Sequence, residues 1–294
     1  MLFKKGKPGK VVVLGGRGML GAAIESVFGS ADIECEGYDL PEVDITQAET
    51  LEPLPPAGCV INCAAYTDVD GAEDNSDSAF MVNAEGAGNV ARYCEKNSVF
   101  MAHISTDYVF DGESQRPYHE NDPVNPVNIY GRSKAKGEEA VRRFCRKSLI
   151  VRTQSLFGKN GKNFVSAIVS RLDRDNGELR IVSDQWSCPT NTKHLAMAVL
   201  NLIRVNAEGT VHASASDSCS WYEFGKTIAE MTGASNRIVP VGSTEYPRKA
   251  RRPRNSALDT SLYEQLTGQS MPEWRQGLVD YMNEMRQQQT GDDV

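Results

Sequence analysis

Tyr130-Gly131-Arg132-Ser133-Lys134 places a phenol and an ammonium four residues apart, so on a helix they share one face. Reduction of a ketone needs a hydride donor at carbon and a proton donor at the developing alkoxide. A tyrosine hydroxyl ordinarily titrates near about 10, too high to exchange its proton easily at neutral pH. A nearby ammonium favours the tyrosinate and lowers that value. The pair therefore reads as a proton donor with its tuner, and Lys134 also suits a ribose hydroxyl. The competing reading is a plain surface pair. Upstream, Ser105-Thr106-Asp107-Tyr108 follows an apolar run, which puts Thr106 at the carboxyl end of a strand. Open α/β sheets bind ligands outside those ends, so Thr106 is placed to hydrogen-bond a substrate oxygen against Tyr130.

A second constellation is Gly15-Gly16-Arg17-Gly18-Met19-Leu20-Gly21, spaced GxxGxxG rather than GxGxxG. It follows a strand and opens a helix. Gly15 permits the tight turn, Gly18 lets backbone approach a pyrophosphate, and Gly21 lets the helix lie close to the sheet. The helix start offers free N–H groups and a partial positive charge. The competing reading is a structural turn. Asp39 ends the second strand, where a carboxylate accepts from ribose hydroxyls and repels a 2′-phosphate. That leans toward NADH, while Arg17 is placed to reach the 2′-phosphate of NADPH. Asp39 also reads as a turn cap.

These groups need a scaffold. Apolar runs predict strands over 11–14, 33–38, 60–62, 99–104, 149–151 and 211–213. Amphipathic spacing predicts helices over 19–28, 76–97, 134–146, 164–172, 192–204, 221–231 and 273–287. Strand and helix in alternation predict an α/β fold with a doubly wound parallel sheet. Residues 246–255 hold five Arg or Lys and two Pro, an anion-contacting loop or a solvated one.

The 294 residues carry 32 basic and 39 acidic side chains, a net of −7, which argues against nucleic acid or an anionic membrane as partner. With 40% hydrophobic and 24% charged residues, whole-chain disorder is excluded. No apolar run is long enough to cross a bilayer, and MLFKKGKPGK lacks the apolar core of a secretory signal, so the expected compartment is the cytoplasm. Seven scattered cysteines, none in a CxxC pair, read as free thiols, and no metal site is expected. Nothing in residues 1–9 places them.

Eight blocks now join up. GGRGMLG at 15–21, VINCAAYTDVDGAE at 60–73, VNAEGAGNVA at 82–91 and STDYVFDG at 105–112 are followed by PVNIYGRSK at 126–134. DQWSCPT at 184–190, WYEF at 221–224 and RRPRNSALD at 251–259 complete the set. Through these blocks nearly the whole chain resembles the extended short-chain dehydrogenase/reductases. Within them it resembles the dTDP-4-dehydrorhamnose reductases.

The resemblance implies a Rossmann-type domain (1–152 plus about 191–214) and a smaller, mostly C-terminal substrate domain (153–190 plus 215–294). It implies reduction, by NADH or NADPH, of the C4 ketone of a dTDP-linked 6-deoxy-4-keto-hexose. Thr106, Tyr130 and Lys134 would be catalytic. Gly15, Arg17, Gly18, Met19, Leu20, Gly21, Asp39, Asp44, Ile45, Ala64, Ala65 and Tyr66 would hold the cofactor with Tyr130 and Lys134. Asn83 would be a structural or water-relay residue behind them. Asp107, Tyr108, Val109, Arg252 and Asn255 would meet the substrate, with Arg252 on its pyrophosphate. Related dehydratases carry Asp-Glu after the threonine; Asp107-Tyr108 lacks the second carboxylate, which favours simple reduction. Where the family shows Arg-Thr-Ser-Trp-Leu-Tyr-Gly, this chain has Arg152-Thr153-Gln154-Ser155-Leu156-Phe157-Gly158. Ser155 for the tryptophan expected near the sugar reshapes the hexose pocket. It also keeps open another 4-keto sugar, an epimerase, or a non-catalytic regulatory subunit like the β subunit of methionine adenosyltransferase. The expected assembly is a monomer or homodimer.

Overall fold

A computed structural model describes residues 3–4, 7–172 and 177–291. Residues 1, 2, 5 and 6 of the unplaced N-terminal segment, and residues 173–176 and 292–294 of the expected substrate domain, lie outside them. Six strands build the central sheet: β1 (Val11–Leu14), β2 (Cys35–Tyr38), β3 (Cys59–Asn62), β4 (Phe100–Thr106), β5 (Ser148–Thr153) and β6 (Gly209–His212). All pair in parallel, in the order 2-1-3-4-5-6. β1, β3, β4 and β5 are buried along their whole length, their apolar stretches continuing into buried polar residues such as Asn62, His103 and Arg152.

Alternate residues of a strand face opposite sides, and each side has its own helices. Val11 and Val13 pack with Ile24 and Phe28 of α1 (Met19–Ser30). Val12 and Leu14 pack on the other face with Val90 of α2 (Ala87–Lys96) and Val141 of α3 (Ile129–Phe144). After β2 the chain returns across β1 to build β3 on its other side, and a crevice opens above that reversal.

A third apolar cluster lies in the C-terminal part of the chain. It joins Val165 and Ile168 of α4 (Phe164–Leu172), Phe224 and Ile228 of α6 (Trp221–Thr232), and Trp274 and Leu278 of α8 (Trp274–Gly291). α5 (Thr192–Arg204) and α7 (Ser261–Thr267) pack on the first face of the central sheet through Leu195 and Tyr263, and two short helices, Val69–Ala72 and Ser76–Phe80, precede α2. The parallel pair Glu178–Val182 and Arg237–Val241 gave no sequence signal, because its burial is patchy and Glu178, Arg180, Arg237 and Pro240 break up any apolar run.

Two differences from the sequence expectation bear on the site. α3 starts at Ile129, five residues earlier than expected, because Asn128 caps it by accepting the Gly131 N–H at 2.8 Å. Tyr130 and Lys134 therefore both lie on the helix. The helical stretch 76–97 is interrupted by a π turn at Met81–Gly86, which carries Asn83.

Candidate active site

The glycine turn is built as its spacing requires. Gly15 has φ of +78°, and a Cβ there would lie 2.7 Å from the Ala64 nitrogen. A Cβ at Gly21 would lie 2.2 Å from the Gly15 carbonyl oxygen, so helix and turn touch through backbone. Gly18 is the N-cap of α1, and no side chain caps that end. The first-turn N–H groups thus face the crevice with the helix dipole behind them.

A cleft of about 880 Å³ runs from this turn to the ends of β4 and β5. Gly15, Gly18, Met19, Leu20, Gly21, Asp39, Asp44 and Ile45 line one end of it. Ala64, Ala65 and Tyr66 line its middle, and Thr106, Tyr130 and Lys134 its inner end. Arg17 is the one residue of the expected cofactor set that lies off the wall. Its Nη1 donates to the Leu40 carbonyl at 2.7 Å and its Nη2 to Glu42 at 2.6 Å. Asp39 does cap the turn, accepting the N–H groups of Arg17 at 3.1 Å and Leu40 at 2.9 Å. A carboxylate retains lone pairs for ribose hydroxyls after two such bonds.

The wall is fixed from behind. Asn83 Oδ1 accepts the Tyr66 N–H at 2.8 Å, while its Nδ2 donates to the Tyr66 carbonyl at 3.0 Å and to Ser133 at 2.9 Å. One buried amide so ties the Ala64–Tyr66 loop to the helix of Tyr130. Asp44 holds its own turn, accepting the Thr46 N–H at 2.9 Å and hydroxyl at 2.8 Å.

At the inner end, burial dominates the electrostatics. It pushes the Tyr130 phenol well above its ordinary range, with a hydrogen bond to the Thr106 side chain opposing. It lowers Lys134 to about 8, with Glu138 and Cys63 opposing. Lys134 Nζ donates to the Ile104 carbonyl at 2.6 Å. Thr106 Oγ1 donates to Asp107 at 2.9 Å and accepts the Tyr108 N–H at 3.2 Å. Burial raises Asp107 to about 6, against hydrogen bonds from Ser256 and Thr106.

The expected substrate residues separate. The Tyr108 ring meets Tyr130 edge-on at 5.7 Å, and the Arg252 guanidinium lies 5.8 Å from the Tyr108 ring centre. Arg252 Nη2 donates to Asp70 at 2.9 Å, while its Nη1 is buried without a partner. Asn255 is turned into its own loop, donating to the Ser114 carbonyl at 2.9 Å and accepting the Ala257 N–H at 3.2 Å. The Val109 side chain is fully buried with Phe110, Tyr118 and Leu258, away from the cleft. Of the basic stretch, Arg251 pairs with Glu113 and Lys249 with Asp74. Trp221 is core packing, 4.7 Å from Phe164 between ring centres.

Two further segments line the wall. Thr153 ends β5 and Gln154, Ser155 and Leu156 follow it, Ser155 alone of these having been expected near the sugar; Asn160, Gly161 and Lys162 overhang the glycine turn, with Gly161 packed on Met19. Lys162 and Lys134 are the cations on the wall among the described residues. Asn160-Gly161 was a legible turn signal, but its return to Met19 is a tertiary event.

A doubly wound parallel sheet, a glycine turn and a Tyr-x-x-x-Lys pair sharing one cleft define the class of extended short-chain dehydrogenase/reductases. Comparison with known proteins narrows this. The family model described as RmlD substrate binding domain matches residues 9–287. The spore coat polysaccharide biosynthesis protein SpsK of Bacillus subtilis is 41% identical, covering 76% of this chain and 78% of its own. The dTDP-4-dehydrorhamnose reductase of Escherichia coli is 34% identical, over 85% and 86%. The crystal structure of the dTDP-4-dehydrorhamnose reductase of Bacillus anthracis in complex with NADP superposes with a TM-score of 0.90 at 34% identity, covering 94% and 99%. The chain belongs to the dTDP-4-dehydrorhamnose reductase family.

Proposed function

We propose that this protein uses NADH or NADPH to reduce the C4 ketone of a nucleotide-linked 6-deoxy-4-keto-hexose, dTDP-4-dehydro-L-rhamnose foremost, giving dTDP-L-rhamnose. One observation carries the reading. The cleft that starts at the capless helix end of the glycine turn ends at the hydroxyls of Thr106 and Tyr130. The names of the relatives and the NADP bound to the Bacillus anthracis protein support it.

The residues present fit a dinucleotide. The glycine turn leaves backbone where a side chain would collide with the loop at Ala64, and Asp39 stands where an adenosine ribose would lie. Gly15, Gly18, Met19, Leu20 and Gly21 would hold the pyrophosphate, Asp44 and Ile45 the adenosine side, and Ala64, Ala65, Tyr66 and Lys134 the nicotinamide ribose. When bound, the reduced nicotinamide supplies hydride to the carbonyl carbon.

This chain's own residues handle the proton. Burial keeps the Tyr130 phenol protonated at neutral pH, so its proton is available to the alkoxide oxygen as charge develops there. Thr106 would turn its hydroxyl proton from Asp107 to the same oxygen and so set its distance from Tyr130. Lys134 places an ammonium beside the site and so stabilises the tyrosinate left behind. Arg252, with one buried nitrogen unpaired, suits a phosphate oxygen of the sugar nucleotide, with Asp107 and Tyr108 at the sugar.

Residues 1–152 and about 191–214 would carry the dinucleotide. Residues 153–190 and 215–294, which supply the separate apolar cluster, would carry the sugar nucleotide. No helix among the described residues is long and apolar enough to cross a membrane. All seven cysteines are free, in keeping with a reducing compartment such as the cytoplasm.

The test is loss of absorbance at 340 nm with NADH or NADPH and freshly prepared dTDP-4-dehydro-L-rhamnose. Ketone-dependent oxidation supports the reading. Cofactor binding by titration without oxidation of any 4-keto sugar nucleotide overturns it in favour of a non-catalytic subunit.

A further inference from the structure

Two buried polar atoms without a partner belong to residues at the inner end of the cleft, Thr153 Oγ1 and Gln154 Nε2, and a third, Asp107 Oδ2, belongs to the residue that follows Thr106. Their residues are 4%, 2% and 2% exposed, and Thr153 and Gln154 line the cleft wall. Buried polar groups are normally paired, so orphans that face a cleft point to a ligand that pairs them.

Their placement follows from the sheet. Thr153 stands opposite Thr106 in the β4–β5 register, one strand spacing away. Gln154 is the next residue. Immediately after it Ser155, also on the wall, adopts φ of +47°, and its hydroxyl donates to Ser187 at 3.1 Å. Ser256 Oγ lies 3.4 Å from Gln154 Oε1, and the carboxamide nitrogen is the end left without a partner. The same hydroxyl is within hydrogen-bond reach of Asp107, so its one proton is shared between the two acceptors and the two residues are neighbours.

We propose that Gln154 is a specificity-determining residue. Its Nε2 donates to the hydroxyl on the sugar carbon next to the ketone, and that hydroxyl donates to Asp107 Oδ2. The inference rests on the 4-ketoreductase reading above. With the ketone oxygen between Thr106 and Tyr130, a group one strand spacing away meets the substituent on an adjacent ring carbon. A free donor and a free acceptor on residues that share Ser256 select a group that both accepts and donates, as a hydroxyl does. A hydrogen or methyl at that carbon leaves both buried atoms unpaired, and such sites reject the deficient analogue strongly.

The experiment compares kcat/KM for a dTDP-linked 4-keto-6-deoxyhexose and its 3-deoxy analogue in the wild type, Q154M and Q154S. The near-isosteric Q154M guards against a packing artefact, and NADPH affinity by fluorescence titration reports an intact fold. The wild type is expected to prefer the hydroxylated sugar by roughly ten- to hundredfold. Both variants are expected to bring that preference within about twofold of unity, mainly through loss on the hydroxylated sugar, with NADPH affinity within about twofold of wild type. Equal turnover of the two sugars by the wild type, or an undiminished preference in both variants, overturns the role of Gln154 while the reductase reading stands. Turnover of neither sugar by the wild type overturns the reductase reading, and this inference with it.

Discussion

Lys134 lies one helical turn beyond Tyr130 on the same face of α3, yet its ammonium donates to the Ile104 carbonyl at 2.6 Å. The same burial that lifts the Tyr130 phenol brings Lys134 down to about 8. The phenol is therefore a stored proton, and the ammonium is a charge that the site holds with difficulty.

The first prediction concerns pH. Lys134 titrates at about 8 in the native protein against an ordinary 10.5, so between those values the unfolded chain binds the extra proton and stability rises with pH. Activity runs the opposite way, because the ammonium is the working form. kcat/KM for the keto sugar should fall as pH rises through about 8. K134R keeps its charge, so its pH–rate profile should lose that limb or move it upward, even at a lower maximal rate. An unchanged basic limb in K134R would assign it to another group.

Tyr130→Phe removes the proton and leaves the ring. Turnover should drop by about a hundred- to ten-thousandfold, while the dissociation constant for NADPH stays within about twofold. Stopped turnover with intact cofactor titration is the expected pair of readings, and wild-type turnover would falsify the proton-donor role.

Cofactor preference should depend on Glu42. Arg17 is exposed, and Glu42 with the Leu40 carbonyl holds its guanidinium, off the cleft wall. E42Q loosens that hold and should raise the NADPH-to-NADH ratio of kcat/KM by about three- to tenfold, because a charge-assisted contact to a 2′-phosphate becomes available. R17A in the same background should cancel the gain.

Stability should hinge on Glu138, one turn beyond Lys134. It is fully buried and accepts Arg152 Nε at 2.8 Å and Nη2 at 2.7 Å, with Arg142 and Ser105 on the same carboxylate. Burial alone would raise this group, but the Arg152 hydrogen bonds and charge win and hold it at about 2. Its stabilisation is present above the ordinary carboxylate range and lost as pH falls toward about 2. E138A strands the Arg152 charge and should cost about 3–5 kcal/mol at pH 7. The double variant E138M/R152M should recover much of that in thermal unfolding, since apolar replacement of a whole buried pair is commonly neutral.

Most of the central sheet was legible, and for one reason. Val11–Leu14 and the 149–151 stretch of β5 are apolar on both faces, and the helices between the strands carry one apolar stripe, so local pattern and tertiary position agree. The pair Glu178–Val182 and Arg237–Val241 stayed hidden because partners nearly sixty residues apart leave no local period. The start of α3 was read late because Asn128 caps it through a side-chain bond, while the residues from Ile129 to Ser133 lack an apolar stripe.

By itself the sequence determined the chemistry on offer: a glycine turn, an acidic strand end, a Tyr-x-x-x-Lys pair and a threonine after an apolar run. These are local properties of residue type and spacing, and the resemblance to a family rests on them. Tertiary structure alone decided how those groups are tuned and which neighbours join them. Burial reversed the expected direction at Tyr130, because taking a phenol out of water outweighs the Thr106 hydrogen bond, while the Lys134 ammonium is engaged on the Ile104 carbonyl. The fold turned Asn255 and Val109 away from the cleft and brought Gln154 and Lys162 onto its wall. Desolvation and long-range packing depend on what surrounds a residue in space, and no spacing along the chain encodes that directly.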